Sequence, residues 1–301
     1  MSQFARRLGH RTFAIFLFHG VVREHRHQVR NYTRKHLTLS RFEEVLRELL
    51  AGGTPVSIPD IVDAARYGRR LPPRAFAVTF DDGFENNASV AAPALRKAGI
   101  PATFYVTSGF VDRNSASWID EIEEAVEKTE VVRLHLPLKL ARETFRDPQE
   151  KRELLDAIRK HVKGDPRIDP YEFSRDVRRQ LATGPFVPDV ELDQKLTWEQ
   201  IGELSRDPLF TVGGHGHTHR ILSFLDPLQL EEELATSLGR VRGATGSGVL
   251  HYSYPEGLAH CYSEAVIGSL RRHGIVCAPT AEDGVNQVGD DLFRLKRIMV
   301  T

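Results

Sequence analysis

The chain of 301 residues has little of what would mark several protein classes. Two cysteines, Cys261 and Cys277, are too few for a disulfide scaffold and lack the paired spacing of a cysteine zinc site; both read as small hydrophobic residues. Neither sign of charge is in excess: 41 Lys and Arg stand against 41 Asp and Glu, so nothing asks for nucleic acid or an anionic membrane as a partner. No window approaches the roughly 18 uninterrupted apolar residues of a membrane helix, so no integral membrane segment is expected. The apolar run 13–18 is shorter than a signal-peptide core of about 7–15 residues. It stops at His19, and no small-residue cleavage site follows. It reads as a buried first strand, and the expected location is cytoplasmic. Internal repeats and low-complexity tracts are also lacking.

What is present is an ordinary globular balance, 41% hydrophobic and 27% charged, in a chain long enough for a substantial core. Short runs rich in β-branched and aromatic residues, at 12–18, 75–80, 102–106, 131–136, 210–212, 249–254 and 275–279, read as buried strands. Between them, 39–51, 87–98, 227–239 and 263–273 have helical periodicity, and Gly99 with Pro101 ends the second of these. Such alternation implies an α/β fold with a parallel sheet and covering helices. The stretch at about 137–192 is charge-rich and helix-prone, with 152–162 and 171–183 its best segments. It reads as a helical insertion over one end of the sheet, within a single domain spanning 1–301.

Two clusters carry chemistry. Asp81 and Asp82 end an apolar run in Thr79-Phe80-Asp81-Asp82-Gly83. Alone this is a turn, with Asp82 free to cap a helix. Far downstream stands Gly213-Gly214-His215-Gly216-His217-Thr218-His219. An i, i+4 histidine pair faces one side of a helix or tight turn, although the spacing is weak evidence in a chain with 13 histidines. Both clusters follow strands, where parallel α/β folds collect ligands. A carboxylate with two imidazoles supplies three ligands and an open position, as catalytic metal sites do. Adjacent carboxylates diverge, so one can hold metal while the other acts as a base.

The sequence resembles the polysaccharide deacetylases, carbohydrate esterase family 4. Thr79-Phe80-Asp81-Asp82-Gly83 is similar to the first motif and Gly214-His215-Gly216-His217-Thr218-His219 to the second. Pro101-Ala102-Thr103-Phe104-Tyr105-Val106, Leu196-Thr197-Trp198, Leu222-Ser223 and Tyr252-Ser253-Tyr254-Pro255-Glu256-Gly257 extend the likeness over most of the chain outside the insertion. The resemblance implies a distorted (β/α) barrel, usually of seven strands. It implies that Asp82, His215 and His219 hold one divalent metal, zinc first, with cobalt, nickel or iron also accepted by such a ligand set. Asp81 would be the general base, and Thr218 would brace the histidine loop. His217 would face away or line the cleft.

Many members supply the general acid from a Leu-x-His motif near the C-terminus; Leu295-Lys296-Arg297-Ile298 has no such histidine. Ile15-Phe16-Leu17-Phe18-His19-Gly20-Val21 has the missing pattern and resembles members whose motif order is circularly permuted, which makes His19 the expected acid. Many relatives also carry Arg-Pro-Pro-Tyr in a third motif, where this chain has Ser253-Tyr254-Pro255-Glu256. Ser stands at the arginine position and Glu256 at the aromatic one, a change that could alter substrate choice. Arg297 is the expected substitute cation for Asp81, against the alternative of a surface salt bridge. Pro255 and Gly257 read as shaping a loop whose backbone approaches the substrate, Tyr254 would touch the substrate or support the site, and Trp118 could offer a sugar-stacking face or simply pack in the core. The expected activity is deacetylation of an N-acetylated amino sugar in a glycan or in a lipid- or nucleotide-linked precursor. The alternatives are formamide, imide or ester cleavage on the same barrel, or a non-catalytic carbohydrate-binding protein. Oligomeric state is not legible.

Overall fold

The computed structural model describes residues 4–140, 142–246 and 248–301. Its strands are β1 (Ala14–Phe18), β2 (Gly20–Val22), β3 (His36–Thr38), β4 (Thr54–Pro55), β5 (Ala75–Phe80), β6 (Ala102–Val106), β7 (Phe210–Gly214) and β8 (Ile298–Met299). Its α-helices are α1 (Leu39–Gly52), α2 (Ile58–Tyr67), α3 (Ala92–Ala98), α4 (Ser108–Arg113), α5 (Trp118–Lys128), α6 (Pro148–Gly164), α7 (Pro170–Leu181), α8 (Trp198–Arg206), α9 (Pro227–Thr245) and α10 (Glu264–Arg272).

The main sheet is parallel, in the order β7-β6-β5-β1-β8, with β4 on the end of β5. Two expected strands, 249–254 and 275–279, continue it only through single bridges, Gly214 to Tyr252 and His251 to Cys277. The expected strand at 131–136 does not form: Val132 bridges Phe145 across a loop, and its apolar residues face helices instead of a sheet. A short apolar run does not by itself say which kind of partner will cover it.

Alternation along β1 and β5 sorts the core. Phe16, Phe18, Phe76, Val78 and Phe80 face one side, where α1 delivers Phe42, Val45, Leu46 and Leu49. Those four lie on a single stripe of the helix, at the i, i+3, i+4, i+7 spacing of an amphipathic face. Phe18, Phe80 and Phe104 stack across three adjacent strands, with centroids 5.4 and 5.1 Å apart. The opposite face holds Phe13, Ile15, Ala75, Ala77, Cys277 and Leu295. Residues that follow on this face toward the C-terminal strand ends are Leu17, His19, Thr79 and Asp81, so the pleat itself aims them at one space. Both cysteines are free and buried.

The region at 137–192 holds α6 and α7, and these share a separate apolar core with α5. Trp118, Ile122, Leu154, Leu155, Ile158 and Val177 are its centre, so the helical layer begins at Trp118, ahead of residue 137. Helices α2 and α8 open with capping boxes, Ser57 with Asp60 and Thr197 with Gln200, which satisfy the free N–H groups of their first turns. Among the described residues no helix is long and apolar enough to cross a membrane.

Phe80 is completely buried between two stacked rings. Phe80→Ala is expected to lower the unfolding free energy by about 3–5 kcal/mol, the usual cost of removing a core phenylalanine. Urea denaturation checks this, and a loss below about 1 kcal/mol would show that the stack does not carry the sheet.

Candidate metal and active site

The C-terminal ends of β1 and β5 stand side by side, and β7 follows one strand further along the sheet, beyond β6. Phe18 pairs in register with Phe80, and the Asp81 amide donates to the Phe18 carbonyl at 3.0 Å, so His19 and Asp81 are neighbours. Beyond β7, the His215 amide donates to the Val106 carbonyl at 2.9 Å, continuing the ladder with β6 for one further step. Asp82 and Gly83 then take left-handed backbone, with φ of 74° and 77°. That turn separates the two carboxylates, and the short polar Asp side chain tolerates it better than most residues.

Asp82 meets the histidines. Its Oδ1 lies 3.2 Å from His219 Nε2 and 3.5 Å from His215 Nε2, and donor atoms of the three residues all lie within 4.8 Å of one another. Asp82 Oδ1 is buried without a hydrogen-bond partner. His215 Nδ1 is 2.8 Å from the Ser253 carbonyl, an acceptor, so Nδ1 carries the proton in the neutral ring. The Nε2 lone pair is left facing Asp82, which is the tautomer a metal ligand requires. Two imidazole nitrogens and one orphaned carboxylate oxygen, with no fourth ligand in the cluster among the described residues, fit a divalent cation with an open position. These three residues could hold one; the donor set does not choose among zinc, cobalt, nickel and iron. Burial works against ionising Asp82, but the neighbouring imidazoles of His215 and His219 outweigh it and hold its carboxyl well below the usual range. Burial likewise pulls the His215 imidazole down, and the charges of Asp81 and Asp82 outweigh it and raise it.

Asp81 faces the other way, into a fully buried guanidinium. Arg297 NH1 donates to Asp81 Oδ1 at 2.8 Å and NH2 to Oδ2 at 2.7 Å. Arg297 is 1% exposed, and its Nε donates to the Thr280 carbonyl at 2.5 Å. Ser253 Oγ accepts from Arg297 NH2 at 2.8 Å and donates to Asp81 Oδ2 at 3.2 Å. The serine that replaces the motif arginine is therefore small enough to admit the guanidinium and polar enough to join the two groups. Burial disfavours an ionised Asp81, but the Arg297 charge beside it prevails and holds the carboxyl below its ordinary value.

His19 lines the same cleft of about 220 Å³ as Asp81, Asp82, His215 and His219, and its Nδ1 has no partner. Burial pushes its imidazole below the ordinary value, against the pull of Asp82 and Asp81. The Asn87 side-chain amide donates to the His19 carbonyl at 2.8 Å, from a π-helical turn (Asn87–Ala91) that precedes α3.

The histidine loop is braced by a residue that no motif announced. Glu233, on α9, accepts from the amides of His217 and Thr218, each at 2.7 Å, and from Thr218 Oγ1 at 2.8 Å. His217 turns away from the cluster, with Nδ1 2.9 Å from Ser108 Oγ. His219 adopts φ of 58° and stacks on Phe110. Gly213 and Gly214 lie inside β7, where a Cβ would come within 2.6 Å of the Tyr105 ring and 2.8 Å of the Tyr252 ring; the sharp turn comes at Gly216, φ 80°.

Other expected site residues separate. Trp118 is 4% exposed and contributes an edge to the cleft. Glu256 also lines it, paired with Lys163 of α6 at 2.5 Å. Burial opposes ionising Glu256, but the Lys163 charge outweighs it and takes the carboxyl down to about 2. Tyr254 is buried, stacks on Tyr262 and donates to the Phe293 carbonyl at 3.0 Å, away from the cleft. Pro255 packs near Gly216. Lys35, Arg159 and Lys163 line the cleft without any sequence signal. Each is a cation whose partner, Asp120, Glu123 or Glu256, is far away in sequence.

Comparison with known proteins adds to this geometry. The polysaccharide deacetylase family model matches residues 68–168 and 171–278. No curated protein matches the chain. Among solved structures, IcaB from Ammonifex degensii is similar with a TM-score of 0.61 at 19% identity, over 98% of this chain and 94% of that one. The Streptococcus pyogenes deacetylase PplD gives 0.61 at 15% identity, over 96% and 92%. The BpsB deacetylase domain from Bordetella bronchiseptica gives 0.60 at 18%, over 96% of each. At these identities the likeness is one of fold, an α/β arrangement with a parallel sheet and covering helices. The family match covers more than half of the chain and includes both the Asp81-Asp82 and the His215–His219 clusters: the chain belongs to the polysaccharide deacetylase family.

Proposed function

We propose that this protein is a metal-dependent hydrolase that removes the acetyl group from an N-acetylated amino sugar in a glycan or a glycan precursor. The observation that carries the reading is the meeting of Asp82, His215 and His219 around one point, with Asp81 held ionised beside them. Asp82, His215 and His219 would hold the cation, zinc being the first choice. When bound, such an ion supplies a Lewis acid for the amide carbonyl and makes a water acidic enough to lose its proton near neutrality.

The remaining chemistry falls to the chain's own residues. Asp81 takes the proton of the attacking water as general base. Arg297 keeps it ionised and orients it; Oδ2 accepts from both Arg297 and Ser253, while Oδ1 accepts from Arg297 alone and keeps a lone pair for that proton. His19 returns a proton to the leaving amine. Its burial makes the protonated ring a stronger acid, and its Nδ1 has no competing partner. Glu233 holds the His217–Thr218 backbone so that His215 and His219 converge.

Recombinant protein loaded with zinc, cobalt, nickel or iron(II) should release amine and acetate from N-acetylglucosamine oligomers, and a chelator should abolish this. Metal analysis of His215→Ala should find almost no bound ion; full occupancy in a folded variant would refute the ligand set. Asp81→Asn and His19→Ala should each lower kcat by about 10²–10⁴-fold, the range for loss of a general base or acid, with metal content retained. Turnover near wild type in either variant would remove that residue from the mechanism. Arg297→Met should cost about 3–5 kcal/mol of unfolding free energy, because it strands a buried carboxylate. A loss under about 1 kcal/mol would show that the pair does not hold Asp81.

A further inference from the structure

The two imidazoles of the cluster are held in different ways. His215 is fixed through its ring, whose Nδ1 donates to the Ser253 carbonyl at 2.8 Å. His219 has no such bond among the described residues: its Nδ1 is buried without a partner, and its ring lies against Phe110 with centroids 5.6 Å apart. A metal-binding imidazole ordinarily takes its orientation from a hydrogen bond at its second nitrogen. For His219 the orientation has to come through the backbone, and that backbone is left-handed, with φ of 58°. Such a conformation costs free energy at a residue with a side chain and persists only where neighbours enforce it.

The neighbours stand at the start of α7. Tyr171 donates its hydroxyl to the Thr218 carbonyl at 3.1 Å. A bond to that carbonyl fixes the plane of the 218–219 peptide, from which φ of His219 is measured. On the other side of His219, Arg220 NH2 donates to Asp169 Oδ2 at 2.6 Å. Asp169 Oδ1 meanwhile accepts from the amides of Tyr171 and Glu172, each at 2.9 Å, and so caps α7. One carboxylate therefore ties the beginning of the helix to the residue after the ligand. That ion pair is partly exposed, at 40% for Arg220 and 30% for Asp169, so more of the hold falls to Tyr171. Helix α7 is itself fixed from behind: Val177 stands in the core shared with α5 and α6, Ser174 Oγ donates to Glu121 at 3.0 Å, and Arg178 pairs with Glu124 at 2.7 Å. Glu233 holds the histidine loop by its amides, and α7 holds it by the carbonyl that follows them.

We infer that Tyr171 and Asp169 are positioning residues of the metal centre, which keep His219 in its left-handed turn and so couple cation binding to the docking of α7 on the histidine loop. This step rests on the ligand set proposed above, Asp82, His215 and His219. The coupling is reciprocal: the factor by which the two contacts tighten cation binding is the factor by which a bound cation tightens the docking of α7.

The test uses the full chain and zinc. Tyr171→Phe/Asp169→Ser removes both contacts, while the ring at 171 stays in the core and serine still caps the helix. The zinc Kd, measured by competition with a chelating dye, should rise about 10–100-fold, the usual loss when a group that orients a ligand is removed. Ser57→Ala uncaps α2 beside the start of β5 and controls for lost stability; it should move the zinc Kd by less than about twofold, as distant sites act independently. In hydrogen exchange, zinc should slow the α7 amides about tenfold or more in the wild type and under about threefold in the double variant. A double variant that binds zinc as the wild type does, an equal loss in Ser57→Ala, or α7 exchange indifferent to zinc in the wild type would overturn the coupling. If the wild type binds no zinc, the ligand set and the coupling fall together. Weakened zinc binding in the double variant, with no amine released by the wild type under any cation, would uphold the coupling and remove the deacetylase reading alone.

Discussion

The contact on which the active end of this fold depends is the buried pair of Asp81 and Arg297. A carboxylate at the mouth of a strand, nearly out of water, would tend to take up a proton and lose its use as a base. The guanidinium prevents this by bonding both oxygens, and it can do so because its own remaining hydrogen bonds go to Thr280, Thr79 and Ser253. The pair is also a structural tie. Arg297 immediately precedes β8, which pairs with β1, while Asp81 immediately follows β5, on the other side of β1. The chain's last strand is thus locked to its centre by the same contact that prepares the proposed base.

A second set of charges, partly buried, joins the helical layer to the sheet. Lys35 pairs with Asp120, Arg159 with Glu123 and Lys163 with Glu256. Removing such charges from water offsets much of their attraction, so they are better understood as fixing where α5 and α6 sit than as a net source of stability. Hydrophobic contacts around Trp118 and Leu155 hold the layer together, and the ion pairs set its position over the site. In consequence the cleft has a roof whose polar lining is supplied by segments distant in sequence from the motifs.

How much of this was legible can be judged from particular residues. Helices α1 and α10 follow from periodicity at nearly their observed bounds, because one apolar face against a sheet leaves a 3.6-residue signature, whereas α9 begins where expected and runs on past 239 to Thr245. Helices α2 and α8 were marked only by capping boxes, a signal easily passed over where the apolar stripe is short. The run 131–136 read as a strand because hydrophobicity says that a segment is covered and not by what. Gly213-Gly214 carries no local sign of its role, which is to allow close approach of the Tyr105 and Tyr252 rings within the sheet. Glu233 had no signal at all: an acidic residue on an amphipathic helix looks solvent-facing until the loop it braces arrives from elsewhere.

The sequence by itself determined the family, the α/β class and the residues able to ligate a metal, because each rests on local order: strand, then Asp-Asp-Gly; strand, then His-x-x-x-His. It also supplied Arg297 as the candidate partner of Asp81, through a short likeness at 295–298. Only the tertiary structure decided that the guanidinium reaches the carboxylate, that Ser253 makes room for it, and that Glu256 pairs with Lys163. Those contacts join positions 44 to 216 residues apart. Their geometry depends on where strand ends and the helical layer come to lie, and no local pattern encodes that.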